Sequence, residues 1–170
     1  MDISLRILTK ADAKALLDFE TVNRYWFEHQ IGGRGEGFYS LGGVQEHIAL
    51  FMLEHKIKKM FPFLIFCSEG SILGRVNITN IDSVTNSAEV GYRVGESHTG
   101  KGVAKTALKK AIEEMSKQGL SKLIAFASTA NLASQAVLTK NGFKPMDTIY
   151  KYAVVDGKDI DCIRFEYEFK

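Results

Sequence analysis

The stretch Gly95-Glu-Ser-His-Thr-Gly-Lys-Gly102 has the outline of a phosphate-binding loop, G-x-x-x-x-G-K. A nucleoside-triphosphate loop needs Ser or Thr at the eighth position, where the hydroxyl meets magnesium. Gly102 stands there instead. The later strand-like run Leu123 to Ser128 also ends without the acidic residue that such enzymes place on the metal. The chemistry left to the loop is general. A strand, AEVGYRV, runs into glycines that open a helix, so the amides of Gly100 to Ala104 would be unsatisfied by that helix. Those amides and the helix dipole favour an anion, and glycines let it approach closely. A diphosphate without a metal fits; a plain tight turn before a helix is the other reading.

The elements that must hold this loop follow from hydrophobic periodicity. Ile3 to Leu8 alternates as a strand. Helical patterns follow over residues 10–29 and about 41–60, separated by the glycine-rich QIGGRGEGFYS. Phe61–Cys67, Ile72–Ile81 and Ala88–Val94 read as three successive strands, with Gly74 marking a bulge or a close backbone approach. After the loop, Val103, Ala107, Leu108, Ala111, Ile112 and Met115 line one helix face and lysines and glutamates the other. A short strand at Leu123–Phe126, a helix over about 132–141 and two strands around Asp156-Gly157 complete the order. The expected fold is α+β: one domain over residues 1–170, a mixed, mostly antiparallel sheet of about seven strands, and about four helices.

Composition restricts the function classes. A chain of 170 residues, 45% hydrophobic and 25% charged, can bury a core without staples. A net charge of +2 gives no broad nucleic-acid or membrane footprint, and no apolar run is long enough to span a bilayer. Cys67 and Cys162 sit in apolar runs and read as buried free thiols, and the four histidines make no zinc spacing with them. A cytoplasmic protein without metal is the expectation, as monomer or homodimer.

Several motifs together resemble the GCN5-related N-acetyltransferases, and within them the branch of ribosomal-protein N-terminal acetyltransferases. The family's phosphate motif, Gln/Arg-x-x-Gly-x-Gly/Ala, is matched by Thr99-Gly100-Lys101-Gly102-Val103-Ala104, with Thr99 departing at the first place. AEVGYRV and the run from Asn131 to Phe143 are similar to the same branch, and the likeness spans nearly the whole chain.

The resemblance implies acetyl-coenzyme A as co-substrate and direct transfer to a primary amine in a ternary complex. The pyrophosphate would lie on the amides of Lys101 to Lys105, including those of Gly102, Val103 and Ala104. The pantetheine would pair with backbone groups near Tyr92 and Val94. Asn131 would bind the pantetheine, cap the following helix, or do both. Glu89 would be the base, or else a solvated strand residue. A main-chain amide near Tyr92 would hold the oxyanion. Leu138 occupies the place of a tyrosine acid found in many relatives, and Ser134 stands as the group that stabilises the leaving thiolate. Arg24, Tyr25, Trp26, Arg34 and Tyr39, with Glu28 and Phe38, crowd the region expected to wall the acceptor site, opposite the last hairpin. A protein or peptide N-terminal amine is the expected acceptor. A small amine (polyamine, aminoglycoside or amino acid) and a non-catalytic coenzyme-binding sensor are the alternatives.

Overall fold

The computed structural model describes residues 1–170. Seven strands form one sheet: β1 Ile3–Ile7, β2 Phe61–Cys67, β3 Ile72–Asp82, β4 Ser87–Val94, β5 Lys122–Ser128, β6 Lys144–Val155 and β7 Lys158–Glu168. Their spatial order is β1-β2-β3-β4-β5-β7-β6, and every neighbouring pair is antiparallel except β4 and β5. The mixed, mostly antiparallel sheet is therefore as expected.

Five α-helices flank the sheet, one more than expected: α1 Ala13–Val22, α2 Arg24–Glu28, α3 Leu41–Lys56, α4 Val103–Ser116 and α5 Leu132–Lys140. The extra one arises because the first helical run breaks at Asn23. Its side-chain amide donates back to Phe19 O at 2.9 Å, and its Oδ1 accepts from Glu96 N at 2.9 Å, a bond to a distant loop. Asn competes for main-chain partners in this way, which favours helix ends over interiors. The third helix also stops at Lys56 rather than near 60, and Lys58 is in the left-handed region at φ 58°.

Period-2 alternation sorts the strands into two faces. One carries Phe63, Val76, Ile78, Val90, Leu123 and Ala125, which pack with Ala107, Leu108, Ala111 and Met115 of α4 and Leu138 of α5. The other face buries Leu64 against Leu16, Phe19, Val44 and Ile48 of α1 and α3. Gly74 has both features expected of it. The β2–β3 register shifts beside it, and a Cβ there would lie 2.3 Å from Arg93 O. The Asp156-Gly157 turn has φ of 52° and 72°, the two positive values that a tight two-residue hairpin needs.

The feature that creates a site is the short β4–β5 pairing. It covers only Ser87, Ala88 and Glu89 against Lys122, Leu123 and Ile124. Beyond Glu89, β4 continues beside β3 and β5 beside β7, but not beside each other. The sheet opens there as a wedge.

Candidate active site

A cleft of about 990 Å³ runs through this wedge. Its walls are Val90–Val94 of β4, Ala125–Ser128 of β5, the loop and first turn of α4, and α5. On the opposite sheet face it reaches Trp26, Ile31, Arg75, Asn77, Thr79, Phe126 and Tyr152. The cleft therefore connects both faces of the sheet, so two molecules can enter from opposite sides and meet between the strands.

The loop holds its main chain open. Gly100 and Gly102 have φ of 71° and 78°, and a Cβ on either would meet nothing within 4 Å. Conformation, not crowding, is what calls for glycine at both places. The amides from Gly100 through Lys105 make no hydrogen bond within the chain; the next, Thr106 N, donates to Gly102 O at 3.0 Å. These donors surround the positive end of a 14-residue helix. The residues present thus fit a diphosphate.

Main-chain direction along β4 is equally informative. Gly95 N donates to Leu73 O, so the alternate residues Val94 and Tyr92 turn their peptide groups away from β3, toward the wedge. One of these groups is already engaged: Trp26 Nε1 donates to Val94 O at 3.2 Å. On α5, Asn131 Oδ1 accepts from Ser134 N at 3.0 Å and caps the helix. Its side-chain amino group makes no internal bond and borders the cleft.

Tyr92 contributes more than its backbone. Its hydroxyl lies 3.0 Å from Ser134 Oγ and 3.2 Å from Ser134 O, spanning from strand to helix. Burial raises the phenol's pKa, and the Ser134 hydrogen bond opposes that shift. The sequence carried no signal for this pair, because no periodicity relates positions 92 and 134.

Glu89 is the last β4 residue paired to β5, at the apex of the wedge. Its carboxylate accepts from the Asn80 side chain and does not line the cleft, although its neighbours Thr79, Val90 and Gly91 do. Tyr152 stacks on Phe126 at 4.7 Å and feels the Glu89 charge, which adds to burial in raising its pKa.

The expected acceptor residues divide. Trp26 lines the cleft. Arg24 pairs with Glu28 at 2.9 Å and with Glu36, and lies over the Tyr39 ring at 4.1 Å. Tyr25 is 75% exposed and packs on His29, away from the cleft. Arg34 pairs with Glu20 at 3.1 Å.

Glu20 belongs to a cluster that the sequence reading missed. Fully buried, its Oε1 accepts from Arg75 at 2.9 Å as well as from Arg34, and Arg93 lies 3.7 Å from Oε2. Arg75 also meets His47 Nε2 at 2.8 Å, a geometry that requires a neutral imidazole. Burial first, then Arg75, Arg34 and Arg93, push the His47 pKa down to about 3. The unfolded chain takes up that proton near pH 6.5 and the folded chain does not. Stability contributed here is therefore present above about pH 6.5 and is lost as pH falls toward about 3, by at most about 1.4 kcal/mol per pH unit and less because the ring is partly solvated. His47→Gln is expected to flatten the acid side of a melting-temperature profile between about pH 7 and 4.5. Parallel profiles for the two proteins would refute it.

The sheet, the wedge and the open loop define an acetyltransferase fold, and comparison agrees. The family description "Acetyltransferase (GNAT) domain" matches residues 2–144, and the chain belongs to that family of N-acetyltransferases. It is 27% identical over 157 residues to the ribosomal protein uS5-alanine N-acetyltransferase of Escherichia coli (strain K12), covering 91% of this chain and 81% of that protein. Its fold is similar to the ribosomal-protein-S5-alanine acetyltransferase from Vibrio fischeri, with a TM-score of 0.94 at 24% identity over 99% of this chain and 93% of that one. It is also similar to RimL, a ribosomal L7/L12 alpha-N-protein acetyltransferase solved with coenzyme A, with a TM-score of 0.90 at 20% identity over 98% and 93% of the two chains. No helix is long and apolar enough to cross a membrane.

Proposed function

We propose that the chain transfers acetyl from acetyl-coenzyme A to the α-amine of a protein or peptide N-terminus, directly and within a ternary complex. The observation that carries this is the row of unengaged amides from Gly100 to Lys105 at one mouth of a cleft that opens on both sheet faces. Those amides suit a diphosphate and need no metal. The acceptors named for relatives, uS5 and L7/L12, support a protein amine as the acceptor here.

Bound acetyl-coenzyme A would supply the thioester carbon that the amine attacks. Tyr92 N–H, turned toward the wedge, would donate to the developing oxyanion. Asn131 can donate its free amino group to the pantetheine while its oxygen caps α5. Glu89 takes the amine proton through a water, since it does not itself line the cleft. Ser134 Oγ, held by Tyr92, donates to the departing thiolate.

Release of free thiol, followed across a panel of N-terminal peptides, polyamines, aminoglycosides and amino acids, tests the reading. Peptide-dependent thiol release and an acetylated N-terminus are expected. Coenzyme binding without acceptor-dependent release would overturn it in favour of a sensor. A hydrogen bond to a charged partner contributes on the order of 1.5–3 kcal/mol, so Ser134→Ala is expected to lower kcat about 10- to 100-fold with a smaller change in KM for the donor. Equal rates would remove Ser134 from the mechanism.

A further inference from the structure

The Glu20 cluster is unbalanced where it meets the cleft. Three guanidiniums, Arg34, Arg75 and Arg93, share one carboxylate, and His47 beside them is neutral. Glu28 and Glu36 do not redress this, because both are engaged by Arg24. Arg75 and Arg93 lie side by side on β3 and β4 and both border the cleft.

Arg93 is the least satisfied of the three. Its side chain is 18% exposed, it makes no hydrogen bond, and its only partners are Glu20 at 3.7 Å and the face of Phe27 at 4.9 Å. Arginine carries five donors in a planar fork suited to a carboxylate. A guanidinium left this free on a cleft wall, among like charges, favours an incoming anion.

We propose that Arg93, backed by Arg75 and Arg34, forms a carboxylate subsite at the Trp26 end of the cleft, so that the preferred acceptor carries a carboxylate near its amine. Arg93 and Gly91 share a face, two residues apart, which puts the carboxylate about 6–7 Å along the strand from Gly91, in the stretch where the amine must reach the wedge. An acidic side chain early in a peptide and the α-carboxylate of an amino acid share this chemistry. The inference rests on the acceptor entering by this face, as in the function proposed above.

The test compares acceptors that differ in one charge: peptides with Glu or Gln at the second position, and alanine against alaninamide. The acid form is expected to have at least about a tenfold higher kcat/KM than its amide, a ratio that falls close to one in Arg93→Gln and partly returns in Arg93→Lys. A ratio confined to the peptide pair assigns the subsite to an acidic side chain, and one confined to alanine assigns it to an α-carboxylate. No preference in the unaltered protein, or a preference that survives Arg93→Gln, would overturn the subsite. If no acceptor is turned over, calorimetry with the N-acetylated Glu and Gln peptides in the presence of coenzyme A separates the two ideas. Arg93-dependent preference for the Glu peptide then keeps the subsite while the transfer reading fails, and equal or absent binding removes both.

Discussion

Glu89→Gln is expected to lower kcat by about 10²- to 10⁴-fold and to leave coenzyme affinity intact, the range typical of losing a general base. An α-amine has a pKa of roughly 8 and arrives mostly protonated at neutral pH, so it must lose a proton before attack. Glu89 is the last of the three β4 residues paired with β5, at the floor of the wedge. Asn80 steadies one carboxylate oxygen. Glutamine keeps the shape but cannot accept the proton, which makes the substitution a test of basicity rather than of packing. Coenzyme binding should be insensitive because the loop from Gly100 to Lys105 is built from backbone on another element. An unchanged kcat at every pH from about 6 to 9 would remove Glu89 from the reaction, whatever the structure around it.

What could be read from the sequence was what is local. The phosphate loop and α4 are contiguous, and the glycines at 100 and 102 announce their positive φ by residue type. The hairpins were legible for the same reason, since Asp156-Gly157 and the alternation of β3 and β4 lie within a few residues of one another. The spatial order of the strands, with β7 lying between β5 and β6, is contained in no local pattern. Tertiary pairing was not legible. Asn23 breaks the first helical run because Glu96, far along the chain, offers it a partner. Tyr25 and Trp26 are adjacent in sequence, yet only Trp26 reaches the cleft, because neighbours on a helix point some 100° apart. Tyr92 looked like a backbone position only, and its hydroxyl proved to reach Ser134. Glu20, Arg75 and Arg93 each resemble ordinary surface charges in sequence. They converge because α1 packs across β3 and β4, and a charged residue at an inward strand position declares itself only once its face is known.

That convergence carries the largest expected effect on stability. Glu20→Gln is expected to destabilise the fold by about 3–5 kcal/mol, the range for removing one partner of a buried ion pair. Glu20 is wholly buried and Arg75 nearly so, at 0% and 1% exposure, so neither can turn to water when its partner is lost. Burial already lowers the Arg75 pKa, and the Glu20 charge works against that shift. With the carboxylate gone, three guanidiniums are left to repel one another across a low-dielectric interior. A domain is typically stable by only about 5–15 kcal/mol, so the loss should be visible as a much lower urea midpoint with little change in slope. The compensating variant distinguishes charge from shape. In Glu20→Gln with Arg75→Met the stranded guanidinium is replaced by an apolar chain that fits beside Phe51, so the pair should cost less than the sum of the two single changes. Arg93→Gln in the Glu20→Gln background should recover part of the loss for the same reason, although it adds no packing. A Glu20→Gln protein within about 0.5 kcal/mol of the parent would show that solvent reaches this cluster, and the case for an uncompensated positive cleft wall would fall with it.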